Sequence, residues 1–130
     1  MDDFQINIIG DLCIVKVDIL IATHRDVKTF WNEMENKSIS KQKKLIIDLS
    51  PCNYVDSTFM GIIVKLFRQV CDENGQLALV FPRMDSLESF RMMGITKIID
   101  CHDTLDKALE SFGSKPKIQN LKFDQKFSLN

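Results

Sequence analysis

Residues 43–61 read KKLIIDLSPCNYVDSTFMG, and the order of side chains in this stretch decides the fold. The apolar run Leu45-Ile46-Ile47 ends in Asp48-Leu49 and a turn containing Pro51. Tyr54-Val55 follows, and Asp56-Ser57-Thr58 opens a new apolar segment. Physically this is a buried strand, a loop and a hydroxyl-rich helix N-terminus. Asp, Ser and Thr suit that position because their side-chain oxygens accept from backbone N–H groups that have no partner inside the helix. The same N–H groups and the helix dipole favour negative charge. Ser57 is therefore a candidate phosphorylation site, and a candidate cap.

Working outward, Leu45 to Leu49 is nearly all apolar, as expected of a central strand covered on both faces. The helix after Ser57 is expected to run to about Glu73, with Gly75 supplying a left-handed C-cap. Its apolar residues are too many for one stripe. Met60, Ile63, Val64, Phe67, Val70 and Cys71 can point inward, which leaves Phe59 and Ile62 as candidates for exposure beside Ser57. They either pack under a neighbouring loop or form a partner-docking patch sensitive to charge on the adjacent hydroxyl.

Upstream, Phe4 to Ile9 alternates apolar and polar, Gly10-Asp11 is a turn signal, and Leu12 to Ile19 reads as a second strand, giving an N-terminal hairpin. Thr23 can cap a helix whose apolar positions Val27, Phe30, Trp31 and Met34 form one stripe. Asn36 to Lys44 reads as a polar, basic loop. Downstream, Gln76 to Phe81 is a strand stopped by Pro82. Asp85 with Glu88 resembles a capping box for a short helix ending at Gly94. Thr96 to Asp100 reads as a short edge strand. Asp103 or Thr104 starts a last helix with Leu105, Ala108, Leu109 and Phe112 on one face and Gly113 at its end. The order β-β-α-β-α-β-α-β-α predicts a single α/β domain over residues 1–113, with a mixed sheet, an N-terminal β-hairpin and about four helices. Residues 114–130 read as a polar, Lys-rich tail for which disorder is the expectation, although Ile118, Leu121, Phe123 and Phe127 are interspersed.

A chain of 130 residues with 45% apolar and 27% charged residues is ordinary for one globular domain. Its net charge of −1 offers no field for nucleic acid or an anionic membrane. The apolar runs are far too short to insert in a membrane. No basic region followed by an apolar one opens the chain, so the cytoplasm is the expected location. The four cysteines form no C-x-x-C pair and the only adjacent ligand pair is Cys101-His102, so no metal is expected. Cys52, after Pro51, reads as the most exposed of them. Neither phosphate-binding glycine motif is present, and no cofactor is expected. His24 reads as a surface residue near a helix start rather than a catalytic base.

Residues 43–61 resemble the signature of the STAS domain, the family of bacterial anti-sigma-factor antagonists. That signature is a hydrophobic strand ending in Asp-Leu, a short loop, an aromatic or apolar pair, and then Asp-Ser-(Ser/Thr/Ala)-Gly-Leu-Gly. The corresponding residues are Ile46-Ile47-Asp48-Leu49, Tyr54-Val55 and Asp56-Ser57-Thr58-Phe59-Met60-Gly61. The resemblance continues through residues 75–80, through Phe90 to Ile95 with Ile98-Ile99, and into residues 104–109, covering roughly residues 4 to 112. It implies that Ser57 is phosphorylated by an anti-sigma-factor serine kinase, which the unmodified chain binds to free a sigma factor, and that a matching phosphatase resets the switch. Asp56 would orient the loop or touch the partner, and Thr58 would be either a second acceptor or a cap. Asp56, Ser57, Thr58, Phe59 and Ile62 would form the partner-binding face. The chain itself would be no enzyme and would have no catalytic residue.

The sequence departs from the pattern in two places. Antagonists commonly carry Gly-x-x-Asp after the second strand, where this chain has Asp18-Ile19-Leu20-Ile21, and Phe59 replaces the usual Gly. These departures suit a different partner, homo- or hetero-oligomers with other STAS domains, or a non-switching scaffold or regulatory subunit. Two readings from other classes fit less well. A receiver domain phosphorylated on Asp48 needs an acidic pair ending its first strand and a Lys ending a later one, whereas Asp2-Asp3 precede the first strand. A hydrolase using Ser57 as nucleophile lacks G-x-S-x-G and a well-placed His.

Overall fold

Leu45, Ile46 and Ile47 are all fully buried, because the strand that carries them lies in the middle of a sheet with helices on both faces. A computed structural model describes residues 3–83, 91 and 94–114. The strands are β1 (Phe4–Ile9), β2 (Leu12–Val17), β3 (Ile21–Ala22), β4 (Lys44–Asp48), β5 (Tyr54–Val55), β6 (Gln76–Val80) and β7 (Asp100–His102). The α-helices among the described residues are α1 (Val27–Asn36), α2 (Ser57–Asp72) and α3 (Leu105–Ser114). The main sheet has the order β1-β2-β4-β6-β7. β1 and β2 are antiparallel, while β2, β4, β6 and β7 run parallel, so the mixed α/β architecture and the N-terminal hairpin are both present.

Alternation along β4 divides the interior. Leu45, Ile47 and Leu49 join the larger core with Phe30, Met34, Phe59, Ile63 and Phe67, on the side of α1 and α2. Ile46 points the other way, to a smaller core with Ala78, Val80, Ala108 and Phe112. An edge-to-face pair, Phe4 and Phe30 with ring centroids 5.2 Å apart, ties β1 to α1, and Phe59 lies 5.1 Å beyond Phe30. Each such pair adds about 0.5–1.5 kcal/mol to area burial.

Several boundaries differ from the sequence expectation for physical reasons. β2 ends at Val17, where Asp18 N–H donates to the Asp3 carbonyl at 2.7 Å. Thr23 caps a 3-10 turn, His24–Asp26, in a reciprocal box with Asp26, and α1 begins after it. The basic loop after α1 contains a second 3-10 turn, Ile39–Lys41, which buries Ile39 completely. Residues 95–97 form a third, and Ile99 N–H donates to the Ile95 carbonyl at 2.9 Å. Ile95 and Ile99 are both buried, four apart as on a helical turn, so the edge strand forms later, at β7. The short helix expected from Asp85 to Gly94 lies mostly outside the described residues, as does the tail from residue 115. α3 starts where Thr104 accepts from Lys107 N–H at 3.1 Å, and it continues past Gly113 to Ser114.

Gly10, at φ +63°, makes the hairpin turn. The left-handed residue closing α2 is Asn74, at φ +63°, and not Gly75. Gly75 is required for closeness instead. A Cβ there would sit 2.7 Å from the Gln42 carbonyl oxygen and 2.8 Å from Val70 Cγ1. Gly75→Ala therefore forces β6 away from the end of α2 and lowers stability by about 2 kcal/mol, measurable as a drop in the urea midpoint at unchanged m-value. An unchanged midpoint would mean that the approach relaxes at no cost.

Candidate functional site

Asp56 takes an extended backbone, φ −82° and ψ 169°, and caps α2 by accepting from Phe59 N–H through Oδ1 at 2.8 Å. Its second oxygen, Oδ2, accepts from His24 N–H at 3.0 Å. One carboxylate thus closes the start of α2 and the start of the 3-10 turn thirty-two residues earlier. The Asp56 N–H donates to the Ala22 carbonyl at 2.9 Å, which fixes the same junction through the main chain. His24 Nδ1 lies 3.9 Å from Asp56 Oδ2 on an exposed ring, so protonated His24 adds an ion pair to a contact the backbone already makes. His24 is the surface residue expected.

With Asp56 as the cap, Ser57 and Thr58 are exposed on the first turn, and the capping role considered for each belongs to Asp56. Beside them lies a two-stranded parallel ladder, β3 with β5, pairing Ile21 with Tyr54 and Ala22 with Val55. The Asn53 and Tyr54 N–H groups both donate to the Leu20 carbonyl, at 2.7 and 3.2 Å. Ala22 and Val55 are buried beneath, while Leu20 and Ile21 are each 59% exposed and Tyr54 is 46% exposed. An open depression of about 590 Å³ runs over this ground, lined by Ile21, Thr23, His24, Arg25, Asp26, Tyr54 and Asp56.

The structure brings Asp56, Ser57 and Thr58 together as the sequence indicates, but it moves the apolar patch. Phe59 is fully buried, because the inward stripe of α2 begins with it and runs through Ile63, Leu66, Phe67 and Val70. Ile62 is half-buried and packs against the same core. The exposed apolar surface beside Ser57 belongs to Leu20, Ile21 and Tyr54. The missed signal was available in the sequence, since Ile21-Ala22 and Tyr54-Val55 are short apolar pairs whose alternation places one member outward.

Cys52 is buried rather than exposed. Its thiol donates to the Val17 carbonyl at 3.6 Å, and burial pushes its pKa up to about 12, with Asp48, Asp18 and Asp26 adding to the effect. It is not a ready nucleophile. Among the described residues, no three His, Cys, Asp or Glu side chains converge to hold a metal ion, and no helix is long and apolar enough to cross a membrane.

The model of the STAS domain family matches residues 3–108, and the chain belongs to that family. It is 29% identical over 87 residues to a protein of Thermotoga neapolitana named as an anti-sigma factor antagonist homologue, covering 67% of this chain and 74% of that one. The crystal structure of an anti-sigma factor antagonist from Thermotoga maritima superposes with a TM-score of 0.74 at 21% identity, covering 83% of this chain and 92% of the other. The Bacillus cell fate determinant SpoIIAA, solved in its phosphorylated form, gives 0.61 at 15% identity, covering 82% and 96%. The family match and these likenesses establish a STAS domain with the STAS fold.

Proposed function

We propose that this chain is a partner-switching anti-sigma-factor antagonist whose state is set by phosphorylation of Ser57. Unmodified, it binds an anti-sigma-factor serine kinase through Leu20, Ile21 and Tyr54 together with Asp56, Ser57 and Thr58. Phosphorylated, it is released, and a matching phosphatase restores it. The observation that carries this reading is an exposed Ser57 on the first turn of α2, freed from capping by Asp56 and bordered by exposed apolar side chains. The relatives named as antagonists, and a structural neighbour that exists in a phosphorylated form, support it.

The physics is a conflict between two preferences. A phosphate adds roughly −1.5 to −2 charges, and the N-terminus of α2 accommodates them while they stay in water. Pressed against an apolar partner with no cation to meet it, the same charge costs several kcal/mol to desolvate. Each 1.4 kcal/mol is about tenfold in affinity, so a modest fraction of that cost separates the complex.

The test is phosphopeptide mapping and intact mass of the protein from its own host, beside Ser57→Ala. A phosphate on Ser57 that the variant lacks is expected, and Ser57→Ala is expected to hold the kinase permanently. A chain unmodified under every growth condition would overturn the switch. It would favour the second reading, a non-switching STAS scaffold or regulatory subunit, to which Asp18-Ile19-Leu20-Ile21 in place of the family's Gly-x-x-Asp is suited. A second expected outcome concerns the face itself. Ile21→Asp with Tyr54→Ala weakens kinase binding at least tenfold while leaving the free energy of unfolding within about 0.5 kcal/mol of the parent. Unchanged binding would move the interface elsewhere.

A further inference from the structure

We propose that two copies of this chain pair edge to edge through β1, antiparallel about a two-fold axis at Ile6, so that their main sheets run on as one. β1 pairs with β2 on one side, and among the described residues no strand pairs with its other side. Sheet edges are ordinarily blunted by charges, proline or bulges. β1, with the sequence FQINII, has neither charge nor proline, and its six residues pair one-to-one with β2 without a bulge. Ile8 and Ile9 are 52% and 58% exposed at its end. The opposite edge, β7, is only three residues long and carries Asp100. The pairing stands apart from the Ser57 switch and needs none of its partners.

The main chain sets the register. Asp18 N–H donates to the Asp3 carbonyl at 2.7 Å, which fixes the phase of the β1–β2 ladder. Hydrogen-bonded pairs alternate along an antiparallel ladder. Gln5, Asn7 and Ile9 therefore turn their main-chain groups to β2, and Phe4, Ile6 and Ile8 turn theirs outward. An antiparallel copy of the same strand presents the same outward groups at the same spacing. With the axis at Ile6, that residue meets its own counterpart, and Phe4 of each copy meets Ile8 of the other. All three outward residues are then engaged at once, in about six main-chain hydrogen bonds. A slip of two residues either way leaves one end unpaired.

Side chains select the same occupant. On the side of α1, Phe4 meets Phe30 and Ile6 packs on the larger core, and alternation puts Ile8 on that side as well. Pairing sets the exposed Ile8 beside Phe4 of the second copy, an aromatic and β-branched pair of the kind that stabilises sheets. On the other face the exposed Gln5 and Asn7 meet across the axis, amide to amide. A two-fold axis repeats every charge on a strand close to the original, and like charges across a ladder are destabilising. β1 carries no charge from Phe4 to Ile9, so its own copy meets no such penalty. One short ladder is small for a specific interface, which makes the dimer reversible.

The test is sedimentation equilibrium of the full-length chain from about 5 to 500 μM, a range that spans a reversible dimer. The average mass is expected to rise with concentration toward that of two chains. Gln5→Lys/Asn7→Lys and Gln5→Glu/Asn7→Glu each place like charges opposite one another in this register. Either variant alone is expected to stay monomeric, and an equimolar mixture of the two is expected to restore the dimer. Both positions are exposed, and surface changes of this kind leave the fold standing. In the parent, the amides of Phe4, Ile6 and Ile8 are expected to exchange about tenfold more slowly at the top of the range than at the bottom, with the β4 amides as internal reference. A parent that is monomeric at every concentration would overturn the proposal. So would a dimer that each charge variant retains when alone, since that dimer would use another surface.

Discussion

Phe59→Ala lowers the free energy of unfolding by about 3–5 kcal/mol. The side chain is fully buried in the larger core and ends the ring series Phe4, Phe30, Phe59 that joins β1, α1 and α2. Deletion removes the transfer energy of the ring, its contact with Phe30, and the support for the first turn of α2. Domains of this size are stable by about 5–15 kcal/mol, so the variant retains a fold with little margin. With a urea m-value of about 2 kcal/mol per molar, the midpoint falls by roughly 2 M. Ile62→Ala, one turn on and half-exposed, costs under half as much. A loss below about 1 kcal/mol for Phe59→Ala would return that side chain to the surface and restore it to the docking patch.

Asp56→Ala carries the next largest effect, about 3 kcal/mol. Removal of a side-chain cap costs about 1 kcal/mol, and here a second donor, His24 N–H, loses its acceptor with the first. An acceptor that is charged adds to both bonds. Asp56→Asn separates the contributions, since its single amide oxygen serves one N–H and its amino group cannot accept from the other. The expected order of urea midpoints is parent, Asn, Ala. Hydrogen exchange should quicken at His24 and Phe59 together in the Ala variant. Acceleration at Phe59 alone would show that Asp56 caps α2 without holding the 3-10 turn.

Much of this architecture was legible because long-period patterns record it. The alternation of Phe4 to Ile9, the continuous burial of Leu45 to Leu49 and the stripe of Val27, Phe30, Trp31 and Met34 each reflect packing against a whole layer. What was not legible depends on contacts between segments far apart in sequence. The distinction between Phe59 and Tyr54 as the exposed aromatic rests on how α2 seats against Phe30. The ladder of β3 and β5 is two residues long, too short for periodicity to register. Cys52 is covered by the Val17 main chain, and Gly75 is demanded by the Gln42 carbonyl rather than by its own dihedral angles. The candidate site residues Asp56, Ser57 and Thr58 were proposed from chemistry, but the division of labour between cap and exposed hydroxyls required the geometry.

The ladder that displays Ile21 and Tyr54 is held by main-chain hydrogen bonds and anchored by the buried Ala22 and Val55. Main-chain bonds do not depend on side-chain identity, so the two outward residues and Leu20 can change at little cost to folding. If the proposed function holds, a cell with several chains of this kind keeps their signalling lines apart by exchanging a few outward side chains, each set fitting one partner and refusing the others. Under the proposed switch, the acceptor on α2 stays constant while the address beside it diverges.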